Sequence, residues 1–213
     1  MGTIRNGGNG AFSGKAGSFI GSNWRDINYI KGIPRISNKP KTQKQLEQQA
    51  KFALAVRFLR PVKLQVEAGF SKIKQGHTTS YNLALKQILT NAIIGTYPDY
   101  EIDYAYAAFS QGPLSGIADV AILAEPPKLV MSWSTSVLKA NSFPTDEVHF
   151  LVYEPVSSDY VIGPPSIPRS AQTADIAMPS DWVGKTVHVF VYCRSLEKQD
   201  VSDSIYAGSA ILI

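Results

Sequence analysis

Three regimes of apolar and polar residues follow one another along the chain. The first, up to about Arg25, has no sustained period. It holds seven of the sixteen glycines (Gly2, Gly7, Gly8, Gly10, Gly14, Gly17, Gly21), with Phe12, Phe19, Ile20, Trp24 and then Tyr29 set among or just after them. Glycine makes an ordered backbone entropically costly, while a plain linker has no use for large apolar side chains. The combination predicts a docking arm that is mobile alone and becomes ordered by lying across its own body or a neighbouring subunit. From Ile30 to Thr42, Pro34 and Pro40 exclude helix and central strand, so this stretch is expected to be extended and basic.

The second regime has the helical period. Thr42 with Gln45 fits a capping box, and the residues up to Leu59 place Phe52, Val56 and Leu59 at i, i+4 and i+7, with Leu46, Ala53 and Ala55 widening the stripe. Pro61 ends or restarts this helix. A second helix is predicted from Ser80 to Ile94, with Tyr81, Leu85, Ile88 and Ala92 on one face and Gly95 just beyond its end. Between them Val62, Leu64 and Val66 alternate, which fits a short strand or a helical extension equally well.

After Gly95 the period becomes two. Strand-like runs occur at Asp103 to Phe109 and Ile117 to Leu123, then through Leu129, Met131 and Trp133, through Val148, Phe150 and Val152, through Val187, Val189, Val191 and Cys193, and through Ile205, Ala207 and Ser209. Turns rich in Pro, Ser, Gly and Asp separate them, and Trp182 is expected to plug one end of the resulting sandwich. The predicted class is α+β: a Gly-rich extended arm (1–41), a helical pair (42–112) and an antiparallel β-sandwich (113–213).

At roughly 150 residues per domain, 213 residues make one large domain or two small ones. Apolar residues at 44% and charged residues at 18% suit a globular protein. No stretch approaches the roughly 20 apolar residues of a membrane span. Met1 to Ile20 lacks a continuous apolar segment, so signal-peptide secretion is not expected; cytoplasmic residence, a released particle and an appendage exported without such a signal all remain open. The single cysteine, Cys193, forms no internal disulfide and builds no cysteine-based zinc site.

Charge alters the picture more. The total of +4 conceals +12 up to Thr90, where 15 basic residues face Asp26, Glu47 and Glu67, and −8 beyond it. Such asymmetry points to an anionic partner for the basic half or to head-to-tail contact between copies; neutralisation within one molecule is the third reading. The basic residues Arg25, Lys31 and Arg35 near Trp24 and Tyr29 loosely match a nucleic-acid surface, although the acidic second half would repel phosphates.

Motifs for chemistry are missing. Lys15 is followed by Ala16 and preceded five residues before Gly14 by Asn9, so the glycine arm is not a phosphate-binding loop. His77, His149 and His188 show no metal-ligand spacing, and the latter two read as partly buried strand histidines. Ser115 misses the nucleophile-elbow spacing. Glu101 and Asp103 share a strand face but read as a solvated edge, and Cys193 reads as buried and inert. No catalytic residue, metal ligand or cofactor is assigned. The candidate assembly or binding residues are Phe12, Lys15, Phe19, Trp24, Arg25, Tyr29, Lys31 and Arg35.

Two resemblances bear on this. Gly14 to Ser18 followed by Trp24-Arg25, Lys39 to Thr42 with Gln45, and Lys51 to Ala55 resemble an uncharacterised family of Bacteroidota proteins of about this size, mainly in the first half. That resemblance implies a bacterial or phage source and carries no activity. The second half looks like an immunoglobulin or fibronectin type III sandwich in its strand pattern, without the Cys…Trp…Cys signature. The expected function is therefore a non-enzymatic structural protein that self-assembles head-to-tail into a filament, tube or virion-like particle. The alternative is a binding module for carbohydrate, a surface or nucleic acid. The expected partner is another copy of the chain, with nucleic acid the weaker candidate.

Overall fold

The computed structural model describes residues 3–4, 12–24, 27–35, 39–73, 78–135 and 141–212. The chain divides into two compact units, 1–42 and 43–213. It is mixed α and β, and mostly β.

The first unit holds β1 (Thr3–Ile4), β2 (Phe12–Ala16), β3 (Phe19–Trp24) and β4 (Ile27–Gly32), paired antiparallel in that order. The glycine-rich start, expected as an extended arm, is thus a meander of short strands. Its aromatic and β-branched residues suit a pleated surface. Gly17, at φ +59°, takes the left-handed first position of the two-residue turn joining β2 to β3.

The second unit opens with α1 (Gln43–Leu59), α2 (Lys63–Gly69) and α3 (Ser80–Asn91). α1 begins directly after Thr42, as the capping pattern implies, and its core stripe keeps Ala55, Val56 and Leu59 of the expected one but takes Phe58 in place of Phe52. Ala55, Phe58 and Leu59 are buried, in series with Val62, whereas Phe52 is 49% exposed. The positions 55, 58, 59 and 62 follow i, i+3, i+4, i+7, a fuller stripe than the one drawn through Phe52. α2 settles the ambiguous segment as helix, with Val66 buried. α3 is capped by the Thr79 hydroxyl, which accepts from the Asn82 N–H at 3.2 Å. It stops at Asn91, earlier than expected, because the chain turns at once into a hairpin of β5 (Ile93–Thr96) and β6 (Asp99–Ile102). Gly95 therefore serves the hairpin: it sits at φ +87°, and a Cβ there would meet the Asp99 carbonyl at 2.4 Å.

The expected strand at 103–109 is instead a 3-10 turn, Tyr104–Tyr106. The Asp103 carboxylate accepts from the Ala105 N–H at 3.1 Å, taking the donor that a strand would have paired.

The remaining strands are β7 (Ala118–Glu125), β8 (Lys128–Ser134), β9 (Glu147–Glu154), β10 (Asp159–Ile162), β11 (Ile167–Pro168), β12 (Thr173–Ala177), β13 (Thr186–Arg194) and β14 (Ile205–Ile211). They form a larger sheet of order β10-β9-β13-β14, with β11 also on β9, and a smaller one of order β12-β8-β7. The alternating residues Val148, Phe150 and Val152 of β9 and Val187, Val189, Val191 and Cys193 of β13 share a core with Leu129, Met131 and Trp133 of β8. Trp182, on a turn before β13, is buried in the same core. The opposite face of β9 and β13 carries Leu151, Tyr153, Phe190 and Tyr192, and these pack with Phe58, Val66, Ile88 and Phe109 from the helical side. The larger sheet is thus covered on both faces, by helices on one and by the smaller sheet on the other.

Candidate assembly surface

In the first unit the ladder registers sort the residues onto faces. Lys15 lies opposite Ile20 and Ile20 opposite Lys31, while Trp24 lies opposite Ile27 and Ser22 opposite Tyr29. Period-two alternation then places Lys15, Ile20, Trp24, Ile27, Tyr29 and Lys31 on one face. The Lys31 ammonium lies 5.9 Å from the centroid of the Tyr29 ring on that face. The other face carries Phe12 and Phe19, edge to face at 5.6 Å, with Gly21, Ile30 and the Asn23–Asn28 side-chain hydrogen bond of 2.6 Å. A Cβ at Gly21 would meet the Phe12 carbonyl oxygen and ring, so only glycine fits this close approach.

The eight residues singled out in the sequence therefore separate. Lys15, Trp24, Tyr29 and Lys31 come together on one face, and Phe12 and Phe19 on the other. Arg35 is exposed beyond the end of β4, and Arg25 lies outside the described residues. Every residue of β4 is exposed, Ile30 at 66%. Fully burying an aliphatic or aromatic side chain of this size stabilises an association by about 1.5–3 kcal/mol before ordering costs, and exposed apolar side chains grouped this way mark interaction surfaces. On one face Lys15 and Lys31 accompany Trp24, Ile27 and Tyr29 with positive charge, within a unit of seven basic residues and one acidic residue.

The candidate chemical groups of the second unit lie apart from one another, each against its own neighbours. His188 Nδ1 lies 2.8 Å from the Tyr206 hydroxyl, and its ring stacks on Tyr104 at 3.9 Å. Burial lowers the His188 pKa. His149 stacks on Tyr192 with ring centroids 5.0 Å apart. Burial lowers its pKa against the opposing effect of Glu147, whose carboxylate lies 3.5 Å from Nε2. His77 lies outside the described residues. The Ser115 hydroxyl donates to Asn141 Oδ1 at 2.6 Å. The Cys193 thiol is pushed up to about 11 by burial and stays protonated. Glu101 is on β6, whereas Asp103 lies beyond that strand and caps the 3-10 turn. Among the described residues no group of three or more His, Cys, Asp or Glu is placed to hold a metal ion, and no helix is long and apolar enough to cross a membrane.

Two features have no sequence signal of their own. Arg169 and Asp146 form a buried ion pair of 3.4 Å, 3% and 1% exposed. The guanidinium also donates to the carbonyls of Ser115 and Gly116, and the Arg169 carbonyl accepts from the Trp133 indole at 2.9 Å. This network ties residues 115–116, Asp146 and β8 together beside a cleft of about 580 Å³. The partners lie 23 to 54 residues apart, beyond the reach of any local pattern. The second feature is the outer face of the β5–β6 hairpin, where Ile94 and Tyr97 are 48% and 39% exposed.

A comparison with curated proteins returns no match. A single family model matches residues 11–208, and the chain belongs to that family of unknown function, DUF6266.

Proposed function

We propose that this chain is a non-enzymatic structural protein that self-assembles head-to-tail, the N-terminal sheet of one copy docking on the 43–213 unit of the next, to build a filament, tube or virion-like particle. The observation that carries the reading is β4, a six-residue strand holding Ile27, Tyr29, Ile30 and Lys31 in which every position is exposed. A sheet with such a surface gains free energy by covering it, and the cationic character of its unit selects an acidic cover. Unlike patches on one chain make heterologous contacts, which close into rings or run on as filaments. The two antiparallel sheets with a shared core in the second unit support an immunoglobulin-like scaffold role for residues 113–213. Light scattering coupled to size exclusion, and electron microscopy, at low and high salt test the proposal. Concentration-dependent, salt-sensitive assemblies are expected; a monomer under every condition overturns it.

A second reading, a binding module for single-stranded nucleic acid, is favoured by Lys15, Trp24, Tyr29 and Lys31 sharing one sheet face, since cations with stackable rings hold such strands. Titration of labelled oligonucleotides at several salt concentrations separates the two: affinity that falls steeply with salt supports this reading, and no binding removes it.

A further inference from the structure

We propose that the surface receiving the basic face of the N-terminal sheet is the outer face of the β5–β6 hairpin of a second copy. This rests on the self-assembly reading and names the partner surface it requires.

The hairpin register sets Ile94 opposite Glu101 and Thr96 opposite Asp99. The alternate residues face the body: Ile102 is buried in the helical core with Ile93 packed against it, and the Tyr100 ring lies under the Lys51 ammonium at 4.9 Å. Ile94, Thr96, Asp99 and Glu101 consequently face outward, with Tyr97 at the turn, and all five are exposed.

Two adjacent carboxylates make this face acidic. No Lys or Arg occurs from residue 87 to residue 127, a span that includes the hairpin. Among the described residues Asp99 and Glu101 form no ion pair, as is true of several other exposed carboxylates, and the two stand side by side on one strand face. Both carboxylates stand beside exposed apolar side chains, a composition that mirrors the basic face, where Lys15 and Lys31 stand beside Ile27 and Tyr29.

The spacings are compatible. Residues two apart on one strand face are about 6.5–7 Å apart, and positions two strands apart, as Lys15 and Lys31 are, lie about 9.5 Å apart. The long lysine stems bridge that difference while lying along apolar surface. Contact between the faces would bring Lys15 and Lys31 against Asp99 and Glu101 and cover Ile27 and Tyr29 with Ile94 and Tyr97. Because the two faces differ, each copy keeps one free half-site at each end, which yields continued assembly or ring closure rather than a closed twofold dimer.

Charge reversal in the full-length chain tests this by sedimentation velocity, with circular dichroism and melting to verify folding. The variants are Lys15→Glu/Lys31→Glu and Asp99→Lys/Glu101→Lys, studied separately and mixed one to one. Each variant alone is expected to weaken association at least tenfold. The mixture is expected to recover it, because every sheet then meets a hairpin of opposite sign. Wild-type-like association of Asp99→Lys/Glu101→Lys overturns the hairpin assignment while leaving self-assembly standing, as does loss in both variants without recovery on mixing. A wild-type chain that stays monomeric overturns both. Should one variant misfold, the milder Asp99→Asn/Glu101→Gln and Lys15→Gln/Lys31→Gln are expected to show smaller losses in the same direction, and unchanged association in them overturns the assignment.

Discussion

Strands β4 and β9 both carry large apolar side chains and meet opposite fates. β4 (INYIKG) is the outermost strand of its sheet, with every residue exposed. β9 (EVHFLVYE) lies between neighbours in the larger sheet and has no exposed residue, because helices cover one face and the smaller sheet the other. Strand formation needs only alternation, suitable residues and a turn. Burial needs a covering layer, and where none covers a strand its apolar side chains remain available as an interaction surface.

The largest effects are expected where cover is complete. Phe58 is 1% exposed, with Tyr153 at 5.0 Å and Phe109 at 5.4 Å between ring centroids. Phe58→Ala is expected to cost about 3–5 kcal/mol in urea unfolding. Arg169→Met is expected to cost a similar amount, about 3–5 kcal/mol, because it leaves the Asp146 carboxylate buried without its cation. A loss under about 1 kcal/mol in both would erase the contrast.

Next in size are the pH effects, also confined to the covered sheet. Burial lowers the pKa of both His149 and His188, so the unfolded chain takes up protons first. Stability is full above the ordinary histidine value and falls as pH drops through about 6.5. His188→Gln is expected to flatten that limb of a pH–stability profile. Glu154 acts at lower pH. Burial alone would raise its pKa, but hydrogen bonds from the Ser157 hydroxyl, the Ser157 and Val156 N–H groups and Lys185 outweigh burial and bring it from 4.5 to about 2. Its contribution is present above the usual carboxylate range and is lost as pH falls toward 2. Glu154→Gln should remove that acid limb, and a profile that keeps it would point to another carboxylate.

The smallest stability effect belongs to the uncovered strand. Tyr29→Ser is expected to change unfolding free energy by within about 0.5 kcal/mol while reducing association measured by light scattering. A cost as large as that of Phe58→Ala would mean that β4 is buried in solution.

Legibility followed the range of the interactions. The run Val187-His188-Val189-Phe190-Val191-Tyr192-Cys193 announced a strand through its alternation, and its near-continuous apolar character also carried the signal of cover on both faces. Asp103 to Phe109 alternates too, yet Tyr104–Tyr106 form a 3-10 turn whose first N–H groups are taken by the Asp103 carboxylate and carbonyl. Phe52 and Phe58 are both apolar positions of one helix, and which of them meets the sheet depends on where α1 lies, a matter beyond its own periodicity. In the candidate site, aromatic and basic residues in the first 42 positions were visible at once. Their division into two faces was not, because a turn at Gly17 and the β3–β4 register decide it.

By itself the sequence determined the mixed class, most strands of the second unit, the helix beginning after Thr42 and the opposed charges of the two ends, since these depend on periodicity, capping and composition within a few residues. Tertiary structure alone decided which sheet is covered, that Arg169 meets Asp146, and that Lys15 and Lys31 share a sheet face on either side of Ile20 while Asp99 and Glu101 face away from the core. Those outcomes depend on contacts between residues distant in the chain, whose free energy exists only once the backbone has brought them together.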